Sequence, residues 1–137
     1  MKIFVDGHIL TSTLLKEYPH FPYASRILSL AGTPQHQLFT SPLSLVAACR
    51  ASEEKCGAMK TKSKIAALAS RISVVPIPVE SVMLCIQNKD IANFEAGIEY
   101  YSALQAGVDC IVTNEERRYY FAGIPVKSPE RFLLDYF

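Results

Sequence analysis

The sequence predicts an α/β domain built on a parallel sheet with helices over both faces. Short apolar, β-branched runs alternate with longer segments of helical period. Serine, asparagine and proline open the helical segments, and glycine follows several of them. A length of 137 residues, half of them apolar, suits one core rather than two.

The opening stretch, MKIFVDGHIL, reads as a buried strand that ends in an acid, Asp6, followed at once by Gly7. Ligands of open parallel sheets gather beyond the carboxyl ends of the strands, so Asp6 marks a candidate site. Apolar residues at 9, 10, 14 and 15 then set a helical rhythm that Pro19 and Pro22 interrupt. In PYASRILSLAG the proline suits a first helical turn, Ile27, Leu28 and Leu30 supply a buried stripe, and Gly32 is placed as a C-cap. Leu38 to Thr40 reads as a short strand. Ser41 and Pro42 cap and open the helix SPLSLVAACRASEEK, whose first half is apolar nearly all round and is expected to be deeply buried. Lys55, Lys60, Lys62 and Lys64 around Gly57 read as a solvated helix connection, with a phosphate-facing patch as the alternative. The second glycine of a nucleotide-binding loop is missing there.

Ile65, Leu68 and Ala69 carry another helix into ISVVPI, where Pro76 favours a strand end. VESVMLCIQ is helical. NFEAGIEYYSALQAG is a helix with Asn93 as N-cap and Gly107 past its end, and VDCIVT is a buried strand delivering Thr113, Asn114 and Glu115. A short strand, IPV, precedes a last helix that Ser128 caps and Pro129 opens.

The net charge of +1 gives no global attraction to polyanions, so nucleic-acid binding would require a local patch. Cys49, Cys56, Cys85 and Cys110 lack the spacing of a zinc site and read as small, reduced core residues. No apolar run approaches the roughly 20 residues of a membrane span, and Asp6, Gly7 and His8 break up the N-terminal one. The expectation is a cytoplasmic protein with no membrane partner.

Asp6 and Glu115 end two strands, and the helix opening at Asn93 brings Glu95 and Glu99 on adjacent turns. Hard divalent cations take oxygen ligands, and two-metal phosphodiester hydrolysis usually requires several carboxylates, for which this is a thin set. An Asp followed by Gly is also an ordinary turn. Arg117 and Arg118 follow the strand end directly and are candidate phosphate contacts for RNA, with a solvated pair as the alternative. His20 and His36 read as loop residues, and Tyr100, Tyr101, Tyr119, Tyr120 and Phe121 as core or interface rather than base-stacking groups.

As a whole the chain resembles a PIN domain, the nuclease fold of VapC-type toxins, and particularly the short single-domain bacterial members. The resemblance spans essentially all of it. It rests on MKIFVDGHIL, where the family usually has a strand ending Asp-Thr-Asn, on NFEAGIEYYSALQAGVDCIVTN, where it often has Asp-Phe-Glu-Asp-Ala and later a Cys-Asp, Ile-Val-Thr run, and on the ending IPVKSPERFL. It implies one PIN-like domain over residues 1–137, a three-layer α/β/α sandwich around a five-stranded parallel sheet, and a magnesium- or manganese-dependent ribonuclease ancestry. It also implies a homodimer and a small antitoxin-like partner.

Under that resemblance Asp6, Glu95, Glu99 and Glu115 are the catalytic candidates, and Asp6 and Glu115 the metal ligands. The family's pattern is incomplete here. Gly7 and His8 stand where Asp-Thr-Asn has its hydroxyl and amide, and Ala47 and Ala48 where a second acid belongs. Asn93 and Ala96 stand for two aspartates, and Arg118 takes a place where relatives often carry Asp. The first reading is therefore a degenerate site in which an arginine pairs with Asp6 or Glu115, kept for binding RNA or a protein. The second is a working ribonuclease using Mg2+ or Mn2+, with Glu99 as a displaced carboxylate and His8 near the attacking water. The third is a dimer that only binds an antitoxin-like partner.

Overall fold

The computed structural model describes residues 1–137. Its parallel strands are β1 (Lys2–Val5), β2 (Gln37–Thr40), β3 (Ser73–Val74), β4 (Cys110–Val112) and β5 (Val126–Lys127), in the order β3-β2-β1-β4-β5. The helices are α1 (Gly7–Leu14), α2 (Phe21–Ser29), α3 (Pro42–Cys56), α4 (Ala58–Ala69), α5 (Val79–Gln87), α6 (Phe94–Gln105) and α7 (Pro129–Tyr136). Short 3-10 turns follow α2 at Leu30–Gly32 and β4 at Glu116–Tyr119. This is the α/β/α sandwich that the alternation of strands and helices predicts.

Period-two alternation sorts the strands' side chains into two cores. Ile3 lies opposite Leu38 and Cys110, and Val5 opposite Val112. With Ile9, Leu10, Ile27, Ala48 and Phe132 they fill the space under α1, α2, α3 and α7. Phe4, Phe39 and Ile111 point the other way, against Ala96, Tyr100 and Ala103 of α6 and against Tyr119. Central strands apolar on both faces are what a doubly covered parallel sheet requires.

The capping chemistry operates as the sequence suggests. Ser41 Oγ accepts from Ser44 N at 3.1 Å, Asn93 Oδ1 from Ala96 N at 3.0 Å, and Ser128 Oγ from Arg131 N at 3.1 Å. Each satisfies a backbone donor that a helix start leaves unpaired.

Three expectations change. The first half of α3 is not deeply buried: the helix turns a seam of Ser44, Ala48 and Ser52 inward, leaving Leu43 and Leu45 half-covered and Val46 exposed. Small residues four apart permit close approach to α1, and that approach outweighs the apolar bulk on the other sides. Of the cysteines, only Cys85 and Cys110 are core residues; Cys49 and Cys56 are half-exposed on α3. Gly32 is not the cap of α2, which ends at Ser29 and tightens into a 3-10 turn first. No helix is long and apolar enough to cross a membrane.

On the outer face of α6 lies α5. Ser81 and Cys85, four apart, turn inward, and Gly97 of α6 accepts the Cys85 side chain. A Cβ on Gly97 would sit 2.3 Å from Cys85 Sγ and 2.8 Å from Ile91 Cγ2. Gly97→Ala is therefore expected to destabilise the protein by about 1–3 kcal/mol through overpacking. In urea melts, Cys85→Ala combined with Gly97→Ala should recover part of that loss, and strictly additive losses would contradict the contact.

Candidate functional site

Strand order places the site. From β1 the chain proceeds outward to β2 and β3, then returns to β4 on the other side of β1. The crevice at the carboxyl ends of β1 and β4 is thus the topological switch point, where open α/β sheets bind ligands. Asp6 leaves β1 there, and Thr113, Asn114 and Glu115 leave β4.

Asp6 is fully buried. Its Oδ1 caps α1, accepting from His8 N at 3.1 Å and Ile9 N at 3.4 Å. Its Oδ2 accepts from Thr113 Oγ1 at 2.6 Å and Tyr119 OH at 3.3 Å, with His8 Nδ1 at 3.4 Å and Arg118 Nη1 at 3.6 Å. Gly7 suits this junction, because a Cβ there would lie 3.2 Å from both Ala47 Cβ and Ser44 O, leaving little room for a larger side chain.

Glu99 is buried beside it, projected from α6. Its Oε1 accepts from Ser41 Oγ at 2.9 Å and from Ser44 Oγ, and its Oε2 from Arg118 Nη1 and Tyr119 OH, both at 3.2 Å. Arg118 reaches in from the 3-10 turn after β4, its side chain only 10% exposed, and Nη2 lies 3.4 Å from Glu95. One guanidinium thus touches three carboxylates.

Among the sequence candidates, Asp6, Glu95, Glu99 and Arg118 converge. Glu115 does not join them: it is 61% exposed and meets His8 Nε2 at 3.6 Å. The expected arginine pairing therefore forms with Asp6, Glu95 and Glu99, while Glu115 pairs with histidine because β4 releases it toward solvent. Arg117 points outward and is exposed. Ala48 and Ala96 are fully buried, whereas Ala47 is exposed on the cleft wall. His20 also lines this cleft, and Tyr120, expected in core or interface, is exposed and donates to Asp90 O. Sequence reasoning does not single out Tyr119, Ser41 or Ser44 as site residues. The cap signal at Ser41 and Pro42 locates the serines near a strand end, but nothing local links them to Glu99, 58 and 55 positions away.

The electrostatics follow from burial. Burial pushes the Glu99 carboxyl up, and the neighbouring Asp6 adds to the rise, against the opposing hydrogen bonds from Ser44 and Ser41 and the charge of Arg118. Burial and the same two acids hold the Tyr119 phenol well above its ordinary range. Burial pulls Arg118 down, but Tyr119, Glu99, Asp6 and Glu95 more than offset it, so its charge is secure. For His8 the hydrogen bond to Asp6 leads, and the pKa rises.

The donor set does not fit a divalent ion. The inward oxygens of Asp6 and Glu99 are engaged by hydroxyls and by Arg118, and no three His, Cys, Asp or Glu side chains form a group able to hold a metal. Above them opens a polar cleft of about 770 Å³ whose walls include His8, Glu17, His20, Glu95 and Glu115.

No family model matches the chain, and no curated protein does. Solved structures do match. VapBC2 from Rickettsia felis, bound to a DNA fragment from its promoter, aligns with a TM-score of 0.69 at 12% identity over 93% of this chain and 98% of that one. VapBC-1 from nontypeable Haemophilus influenzae gives 0.67 at 17% identity over 95% and 99%. VapC20 from Mycobacterium tuberculosis, a sarcin-ricin loop cleaving toxin, gives 0.63 at 15% over 80% and 86%. The fold is that of a VapC-type PIN domain.

The raised Glu99 pKa has a measurable sign. Its contribution to stability is full below the unfolded value near 4.5 and is lost as pH rises through the higher folded value. Glu99→Gln imitates the protonated acid at every pH. The Tm of the wild type minus that of the variant should therefore fall as pH increases from acid toward neutral. A difference that is flat or grows with pH would refute the assignment.

Proposed function

We propose that this VapC-type PIN fold, a single domain over residues 1–137, carries a degenerate acidic site with little or no nuclease activity and serves to bind a protein partner or RNA. One observation carries the reading: Arg118 lies among Asp6, Glu95 and Glu99 as their counter-cation. A guanidinium neutralises carboxylates without lowering the pKa of a bound water or bridging attacking and leaving oxygens, so it supplies charge but not chemistry.

Structural likeness to VapBC complexes supports a small antitoxin-like protein as the partner, and likeness to a toxin that cleaves the sarcin-ricin loop supports structured RNA as the nucleic acid to test. Charge favours the protein. Glu17, Glu95 and Glu115 on the cleft walls repel phosphates, while Arg118 is already matched, leaving Arg117 outside as the free cation for an RNA backbone. A basic peptide segment complements the cleft better.

The rival reading, a Mg2+- or Mn2+-dependent ribonuclease with displaced ligands, draws on Glu99 standing beside Asp6. It requires Arg118 to swing out. The two readings separate in one set of assays. Purified protein is expected to leave structured RNAs uncut with Mg2+ or Mn2+, and Asp6→Asn to change nothing; cation-dependent cleavage abolished by Asp6→Asn would establish the rival instead.

Arg118→Ala is expected to cost about 3–5 kcal/mol, because it strands buried carboxylates, and Mn2+ should restore part of the lost Tm. The wild-type Tm should not respond. Should Arg118→Ala fail to fold, Arg118→Met retains more packing for the same measurement.

A further inference from the structure

The chain's four thiols stand in unlike settings. Cys85 and Cys110 are buried, and burial pushes both up, Cys110 to about 11. The Cys49 thiol donates to Glu53 Oε1 at 3.2 Å, and that hydrogen bond raises it too. Each of these three is thereby held as the less reactive thiol. Cys56 has an amine beside it instead. It is half-exposed at the end of α3, and its sulfur accepts from Lys64 Nζ at 3.4 Å.

Folding brings this pair together. Gly57, at φ +82°, reverses the chain between the two helices, and Lys64 lies two turns into α4. In the same junction Thr61 Oγ1 donates to Ser52 Oγ at 2.9 Å, which sets the spacing of the helices. Thr61 is the only buried residue of α4, whose start has no side-chain cap, so few contacts hold this helix down. Lys64 forms no ion pair, and no carboxylate draws its amine away from the sulfur.

We propose that Cys56 and Lys64 form a peroxide-responsive modification site, at which oxidation joins Sγ to Nζ as a sulfenamide and fastens α4 to α3. Two steps balance the atoms. Hydrogen peroxide first gives one oxygen to Sγ: an S–O bond forms, the O–O bond breaks, and the other oxygen leaves as water with the thiol proton. The ammonium releases a proton to solvent, and the free amine then attacks the sulfur. An S–N bond forms, the S–O bond breaks, and the hydroxyl leaves as water with a second proton from Nζ. Sulfur has lost two electrons to the peroxide, and the chain two hydrogens. The bridge uses none of the residues that line the cleft and is independent of what the cleft binds.

Peptide mapping of the unreduced protein after hydrogen peroxide treatment tests it. Met59, 86% exposed, takes up oxygen on its own account, so the bridge is read in peptides rather than in the intact mass. Trypsin is expected to release residues 56–60 joined to 63–71, about 2 Da lighter than the two free peptides together, with cleavage after Lys64 lost. Dithiothreitol should separate them. Lys64→Arg keeps the charge but not the nucleophile, and should leave a sulfenic acid at Cys56 that dimedone labels. A Cys56 that stays unmodified, or that dimedone labels as heavily in the wild type as in Lys64→Arg, would overturn the proposal. So would a linkage to any other lysine, or a bridge that forms as readily in guanidinium-unfolded protein.

Discussion

The contact on which the site depends is the guanidinium of Arg118 between two buried carboxylates. Asp6 and Glu99 come from β1 and α6, elements on opposite sides of a long stretch of sequence, and packing places both carboxyls at one end of the sheet. Two anions held together away from water repel each other strongly, and a sandwich this small has little stability to offset that repulsion. A cation among them, with hydroxyls on the remaining lone pairs, makes the arrangement tolerable. Three places in the fold supply those groups: the end of β4, the start of α3, and the turn after β4. The site's architecture is thus a solution to a charge problem that the fold itself creates.

Above that closed layer the chemistry differs. His8 bridges Asp6 and Glu115, half in the wall and half in solvent, and the outer acids face open water. The lower tier is fixed by many partners, while the upper tier retains unsatisfied valence. Any molecule entering the cleft meets the upper tier, and it meets carboxylates there.

Much of the fold is legible in the sequence because its signals are local. Ser41, Asn93 and Ser128 announce helix starts through chemistry that operates within four residues, and the alternation in the opening strand reports two buried faces without knowledge of any partner. The rotation of α3 is not legible, because apolar content measures transfer to oil whereas the seam of Ser44, Ala48 and Ser52 is chosen for size. The site divides along the same line. That Glu95 and Glu99 share a helix face follows from their spacing, but that Glu99 plunges into the core while Glu95 stays at the rim depends on serines more than fifty residues away. The arginine's presence near the acids is foreseeable. Its choice of Glu99 over Glu115 is decided by the direction in which β4 releases the chain.

Asp6 does two jobs with two oxygens. While Oδ2 looks into the cluster, Oδ1 receives the first backbone donors of α1, a task any chain with this strand-to-helix junction must assign to some acceptor. An aspartate at this position therefore serves the fold independently of anything it does in the cleft. The first acid thus reports the architecture of the strand-to-helix junction, whereas the turn after β4, which carries Arg118, sets the charge balance of the cleft.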